Sequence, residues 1–300
     1  MLCQANTPGL SAAKTTMAER QTFFHVGYAR AASTFLQKAV FPALTGLQYI
    51  PRNRFRVREK EKKRFKADKI LMSREAGKHI FDRCDRVHDI FGSKIMISLR
   101  RQDTLAASNY RLHAKKGHTV RFEQYLDLEN NEGLWKTEDF EYMRLIRYIE
   151  EKYGYPPIVL IFEDYISDPD KYLEALCAAL DCGIDKDKIG KDVVHKSYSD
   201  KQLRLRRQVA DWFADKDSKQ EQLKNKTPQG DSIGNFFRYR ALLWSSALFM
   251  RFANLAPESW LSDEPLIRQE RLDQVREFYA DDWQQCQEYV VAQNKRLGVL

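Results

Sequence analysis

Short apolar runs alternate with longer stretches of helical periodicity along most of the chain. Phe23, Phe24 and Val26, then Ile70 to Met72, Ile95 to Leu99, and Ile158 to Ile161 are runs of strand length. They predict strands at about 22–27, 70–73, 94–99 and 158–162. After the first run, Phe35, Leu36, Ala39 and Val40 fall on one helical face behind Ser33 and Thr34. After the third, Asp103 is placed to cap a helix whose apolar positions include Leu105, Ala106 and Leu112. Phe140, Met143, Ile146 and Ile149 predict an amphipathic helix over 138–153. Pro169 suits the first turn of another helix, and 270–297 reads as a closing one. Strands alternating with helices predict an α/β fold, a parallel sheet flanked by helices with a C-terminal helical region. The expected organisation is a disordered segment over 1–21, a core over 22–210, and a helical region over 211–300 that completes the same domain. Ligands of such sheets bind beyond the C-terminal strand ends, where Arg30, Glu75 and Arg100 fall.

Residues 23–37, FFHVGYARAASTFLQ, join a strand to a helix through small residues with a cation inside the turn. A strand, a tight turn and a helix N-terminus gather backbone N–H groups into a concavity suited to a tetrahedral anion. The fold expectation is therefore P-loop-like, but a nucleotide-triphosphatase loop requires G-x-x-x-x-G-K-[ST]. Aligned on Gly27, Ala32 stands at the second Gly and Ser33 at the Lys; only Thr34 fits. The alternative is an ordinary buried β-turn-α unit with a chance Arg. In 94–113, KIMISLRRQDTLAASNYRLH, Arg100 ends a strand and Ser108 lies eight residues on, about two helical turns along. Such a pair can converge on one phosphate; a capped surface helix is the plainer alternative. A third stretch, 158–180, is a strand, an acidic turn with Glu163 and Asp164, and a Pro-started helix, read as scaffold.

Over about residues 22–182 these motifs resemble bacterial-type sulfotransferases that use 3′-phosphoadenosine-5′-phosphosulfate. The resemblance implies that Arg30, Ala31, Ala32, Ser33, Thr34 and Phe35 form the 5′-phosphosulfate loop. It implies that Arg100 and Ser108 hold the 3′-phosphate, a group ATP lacks. It also implies that Lys196 and Arg204, in VVHKSYSDKQLRLRRQ (193–208), close over the nucleotide; a plain helix start is the alternative for that stretch. The family usually has Lys where this chain has Arg30, and often Gly where it has Ala32. An Arg neutralises charge without donating a proton at neutral pH, so the departure bears on rate more than on reaction type.

The 300 residues suit one large domain, and 43% hydrophobic residues support a sizeable core. A net charge of +8 points to anionic ligands without implying nucleic acid. The five cysteines are scattered and odd in number, so reduced thiols are expected rather than a disulfide framework. No zinc-like Cys/His spacing is present, and no metal is expected, because a transferred sulfuryl group bears less charge than a phosphoryl. The first twenty-one residues contain no continuous apolar run and include Lys14, Glu19 and Arg20, so neither a signal peptide nor an anchor is expected there. A cytoplasmic bacterial enzyme is expected, with contact at the inner face of the membrane left open by 235–256. That segment is aromatic and apolar, with Arg238, Arg240 and Arg251 interspersed. It is too short to span a bilayer, and reads either as a core or dimer helix or as an interfacial helix reaching a lipid-linked acceptor. Nine Lys or Arg in 51–66 form either a solvated basic face or a wall attracting acidic ligands.

The implied reaction is sulfuryl transfer to a hydroxyl or amine of a carbohydrate or lipid-linked acceptor. Arg30 is the cation for the leaving oxygen. Glu75 in LMSREAG (71–77) is the first choice for the general base, with His113 and His118 as alternatives; His25, inside a strand, reads as buried. Two other functions compete. A catalytically inactive sulfotransferase-like binding protein fits the Arg30 and Ala32 departures, and a P-loop kinase lacks the Gly-Lys pair and an evident Mg²⁺ carboxylate.

Overall fold

A computed structural model of the chain describes residues 20–56, 67–189, 198–213, 257, 260 and 264–299. The first half runs β1 (Gln21–His25), α1 (Ser33–Phe35), β2 (Leu44–Thr45), β3 (Gln48–Ile50), β4 (Lys69–Ser73), α2 (Ile80–Phe91), β5 (Lys94–Leu99), α3 (Gln102–Lys115) and α4 (Phe122–Tyr125). The second half runs α5 (Tyr142–Tyr153), β6 (Ile158–Ile161), α6 (Phe162–Ser167), α7 (Pro169–Leu180), β7 (Gly183–Ile184), α8 (Asp200–Phe213), α9 (Gln269–Phe278) and α10 (Ala280–Arg296). Five strands form one parallel sheet in the order β3-β4-β1-β5-β6, while β2 and β7 form a separate antiparallel pair.

The period-2 alternation of each strand divides its side chains between two cores. Phe24, Ile70, Met72, Ile95, Ile97, Val159 and Ile161 face one side, packed with residues of α2, α3, α5 and α10. Phe23, Leu71, Met96 and Leu160 face the other, packed with Leu36, Val40 and Phe41 and with α7. Both faces are covered, which is why the strands read as continuous apolar runs. The chain leaves β1 for β3 and β4 on one side and crosses back to β5 on the other, so the crevice at the carboxyl ends of β1, β4 and β5 is the topological switch point.

The α/β class, the flanking helices and the helical C-terminal region are as expected, with differences at boundaries. The first strand ends at His25, although the Val26 N–H still bonds the Met96 carbonyl at 2.7 Å. The helix expected over 138–153 begins at Tyr142, because both carboxylate oxygens of Asp282 on α10 accept the Tyr142 and Met143 N–H groups at 3.0 Å. A cap supplied from another helix leaves no local signal. Asp103 is not the cap of α3: Arg101 occupies that position, and Asp103 lies in the first turn, where its carboxylate holds the Arg101 guanidinium at 2.7 and 2.9 Å. The closing helix is two, α9 and α10, broken at Tyr279, whose hydroxyl donates to the Thr137 carbonyl at 2.9 Å. Strands β2, β3 and β7 have two or three residues each, too few for an alternation to be visible. The expectations for 1–19, Lys196 and 235–256 lie outside the described residues. No helix among the described residues is long and apolar enough to cross a membrane.

Candidate active site

The turn after β1 has backbone that side chains seldom adopt. Arg30 and Ala32 both have positive φ, 76° and 59°, in the left-handed region that costs a non-glycine residue free energy. Two left-handed residues so close reverse the chain and start the helical stretch at Ser33. Internal bonds hold the turn: Ala31 N–H to the Tyr28 carbonyl at 3.2 Å, Ser33 Oγ to the same carbonyl at 3.0 Å, and Leu36 N–H to the Ala32 carbonyl at 3.0 Å. A Cβ on Gly27 would stand 2.5 Å from Ser33 Oγ and 2.9 Å from His25 Nε2, so only glycine fits beneath the loop. Ala31 and Ser33 are buried, and Phe35 packs on Tyr165 with ring centroids 4.7 Å apart. Ser33 therefore turns its hydroxyl into the loop. The first N–H groups of a helix have no acceptor within it.

Arg30, Arg100 and Ser108 come together over this turn. Arg30 Nε donates to Ser108 Oγ at 3.0 Å, and Arg100 Nη1 donates to the Arg30 carbonyl at 3.2 Å. Arg100 also donates from Nε to Thr104 Oγ1 at 3.0 Å and lies 4.8 Å from the Phe162 ring centroid. Burial holds the Arg100 guanidinium below its ordinary value; Glu163 opposes that and neighbouring Arg30 adds to it. Two guanidinium groups close enough to repel each other favour an anion beside them.

Glu75 lies on the segment that continues β4 alongside the loop, where Arg74 N–H bonds the His25 carbonyl at 3.0 Å and Ala76 N–H bonds the Gly27 carbonyl at 3.1 Å. Burial raises the Glu75 carboxyl above its ordinary value, with Arg52 and Arg30 pulling the other way. Arg52, from the basic stretch 51–66, is thus close enough to act on this carboxylate. Arg204 lies on α8, which is tied to the Ser108 helix by Arg111, bonded to Asp200 and to the Tyr198 carbonyl.

His113 and His118 stack with ring centroids 3.9 Å apart, and burial lowers them to about 3 and about 4. Both are neutral imidazoles at neutral pH. His25 is fully buried between Ser73 Oγ at 2.8 Å from Nδ1 and Ser98 Oγ at 2.6 Å from Nε2. Its pKa falls to about 3 through burial, so it ties β4, β1 and β5 together beneath the loop.

Several supporting residues escape sequence reasoning. Tyr142 donates its hydroxyl to the Arg100 carbonyl at 2.6 Å, and its ring lies 5.3 Å from that of Tyr28. Tyr28 in turn donates to the Asp139 carbonyl at 3.0 Å. Glu163, read as scaffold, accepts the Arg101 N–H at 3.1 Å, which sets the start of α3. Of these only Glu163 is singled out by the sequence, as scaffold of the acidic turn.

No family model matches the chain, and no curated protein matches it in sequence. Among solved structures it is similar to a sulfotransferase from Alicyclobacillus acidocaldarius, at 17% identity and a TM-score of 0.44, over 69% of this chain and 97% of that one. It is also similar to mouse sulfotransferase SULT7A1 complexed with PAP, at 14% identity and a TM-score of 0.36, over 79% and 89%. Likeness at this level decides neither fold nor reaction; the fold class rests on the order and direction of the strands.

Proposed function

We propose that the protein transfers a sulfuryl group from 3′-phosphoadenosine-5′-phosphosulfate to a hydroxyl or amine of a carbohydrate or lipid-linked acceptor. The observation that carries this reading is the Arg30–Ser108 contact at 3.0 Å together with the Arg100 bond to the Arg30 carbonyl. It joins the loop after β1 to the Arg-x7-Ser pair of β5 and α3, two anion-binding motifs far apart in sequence. The donor needs two such sites at once, one for the 5′-phosphosulfate and one for the 3′-phosphate. The donor set fits: guanidinium groups and a hydroxyl at one place, and backbone N–H groups at a helix start beside it.

In this reading Arg30 neutralises the charge that grows on the bridging oxygen as the sulfur–oxygen bond breaks. Arg100 and Ser108 hold the 3′-phosphate, and Arg204 and Lys196 belong to the nucleotide cover. Glu75 accepts the acceptor's proton, and its raised pKa makes it a better base than an exposed carboxylate. The chemistry requires no metal ion.

Thermal shift with adenosine 3′,5′-bisphosphate against ATP with Mg²⁺ tests the donor, and labelled-sulfate transfer to host glycans and lipids tests the reaction. Stabilisation by the bisphosphate alone, with label on an acceptor, is expected. Stabilisation by ATP with Mg²⁺ alone would make it a kinase, and bisphosphate binding without transfer an inactive binding protein.

A further inference from the structure

Away from this site, at the C-terminus of α7, two thiols face each other. The helix closes with Asp181 in the left-handed conformation, φ 45° and ψ 61°. The Cys182 N–H returns to the Cys177 carbonyl at 3.0 Å, and the Asp181 N–H to the Ala178 carbonyl at 3.2 Å. This pair of bonds is a Schellman closure, which brings the side chains of its first and last residues into contact. Here those residues are Cys177 and Cys182, whose thiols are near enough to act on each other's titration. Both are partly exposed, whereas Cys84 and Cys286 are buried.

The corner is held in place on two sides. Lys69, at the start of β4, donates to Asp181 Oδ2 at 2.7 Å, and the next two residues, Gly183 and Ile184, pair with Thr45 and Leu44. The backbone around the corner therefore keeps Cys177 and Cys182 as neighbours. They are also chemically unequal. Cys182 holds the Cys177 thiol below its ordinary value, with burial opposing and Lys186 adding to the effect. Cys177 and burial raise the Cys182 thiol. The lower thiol attacks and the higher one resolves.

We propose that Cys177 and Cys182 form a redox modification site, which a small oxidised disulfide of the glutathione type converts to an intramolecular disulfide. The Cys177 thiolate attacks one sulfur of the small disulfide, forms a mixed disulfide and expels one small thiolate. Cys182 gives its proton to solvent, attacks the Cys177 sulfur and expels the second. Two protein thiols are oxidised as one small disulfide is reduced to two thiols. Because Lys69 begins β4, the corner lies at the end of the sheet opposite Arg30, and this site is independent of the donor reading.

The full chain is incubated in glutathione buffers of rising disulfide fraction, quenched in acid, alkylated and digested with trypsin. Both cysteines fall in the peptide Tyr172–Lys186, which has no internal Lys or Arg. The expected product is that peptide lighter by two hydrogens, without alkyl group or glutathione. C182S is expected to stop at a stable glutathione adduct on Cys177, and C177S to gain its adduct about tenfold more slowly. Iodoacetamide applied briefly to the unsubstituted protein reads the same order without substitution, and Cys177 is expected to alkylate first. Full alkylation of the peptide at every glutathione ratio, equal adduct rates in the two variants, or Cys182 alkylating first would overturn the proposal.

Discussion

At the scale of single residues, Arg30 and Arg100 share one cluster of charge but differ in what they are expected to do. Arg100 is half-buried and fixed by Thr104 and the Arg30 carbonyl; Arg30 is exposed above the turn. Arg100→Ala is expected to weaken adenosine 3′,5′-bisphosphate by about tenfold or more, because a charge-assisted bond contributes ~1.5–3 kcal/mol. Adenosine 5′-phosphate should bind as before, which calorimetry with both nucleotides checks; equal weakening would remove Arg100 from the 3′-phosphate. Arg30→Ala is expected to lower turnover by ~10²–10³ with a smaller effect on donor affinity, as measured by labelled-sulfate transfer; normal turnover would remove it from the transition state. Glu75 acts as a base only when ionised, so activity should fall as pH drops through its raised pKa. The acidic limb of kcat/KM should therefore lie above the carboxyl's ordinary 4.5, and Glu75→Gln should abolish that limb and reduce turnover by about 10²–10⁴. An unchanged pH profile in Glu75→Gln would assign the base elsewhere.

At the scale of elements, the loop depends on how β1 sits between β4 and β5. His25 joins the three strands through Ser73 and Ser98, and Gln37 from the helical stretch after the loop adds a bond to Ser73 Oγ at 2.9 Å. The folded pKa of about 3 lies below the ordinary 6.5. Below pH 6.5 the unfolded chain takes a proton that the folded chain refuses. Stability is thus present above that pH and lost as pH falls towards the folded value. His25 alone should cost about 2 kcal/mol between pH 7 and pH 5, and buried His113 and His118 act in the same direction. Urea denaturation at the two pH values measures the sum. His25→Gln should flatten the difference by about the share of one histidine; an identical pH slope in that variant would show that His25 is protonated in the fold.

At the scale of the whole molecule, the C-terminal helices finish what the sheet leaves open. β6 is an edge strand, and Gln293 on α10 covers part of that edge. Its Oε1 accepts the Val159 N–H at 2.8 Å and its Nε2 donates to the Val159 carbonyl at 2.9 Å. The side-chain amide stands in for a neighbouring strand. Asp282, on the same helix, caps α5, and Tyr142 in the first turn of α5 holds the Arg100 carbonyl. A route of direct contacts thus leads from α10 to the candidate site. Gln293→Ala leaves two buried backbone groups without partners and should cost about 2–4 kcal/mol, read as a lower urea midpoint. A loss below about 0.5 kcal/mol would mean that water replaces the amide.

Features whose cause is local were legible in the chain. The four longer strands are buried on both faces, so their apolar runs show in the chain at nearly their true bounds. The turn after β1 was visible because small residues between an apolar run and a helical run mark a tight strand-to-helix turn. Arg100 and Ser108 were visible because two helical turns is a fixed spacing. Tertiary structure alone decided what depends on residues distant in sequence. The Arg30–Ser108 contact, Asp282 at the start of α5, Tyr142 behind Arg100 and Gln293 on the edge of β6 each join elements that only the packed sheet brings together. The Cys177–Cys182 contact spans five residues, yet scattered cysteines show no pairing; a left-handed Asp181 at the end of α7 makes it. Local spacing determines what a helix or strand can present, and packing determines what it meets.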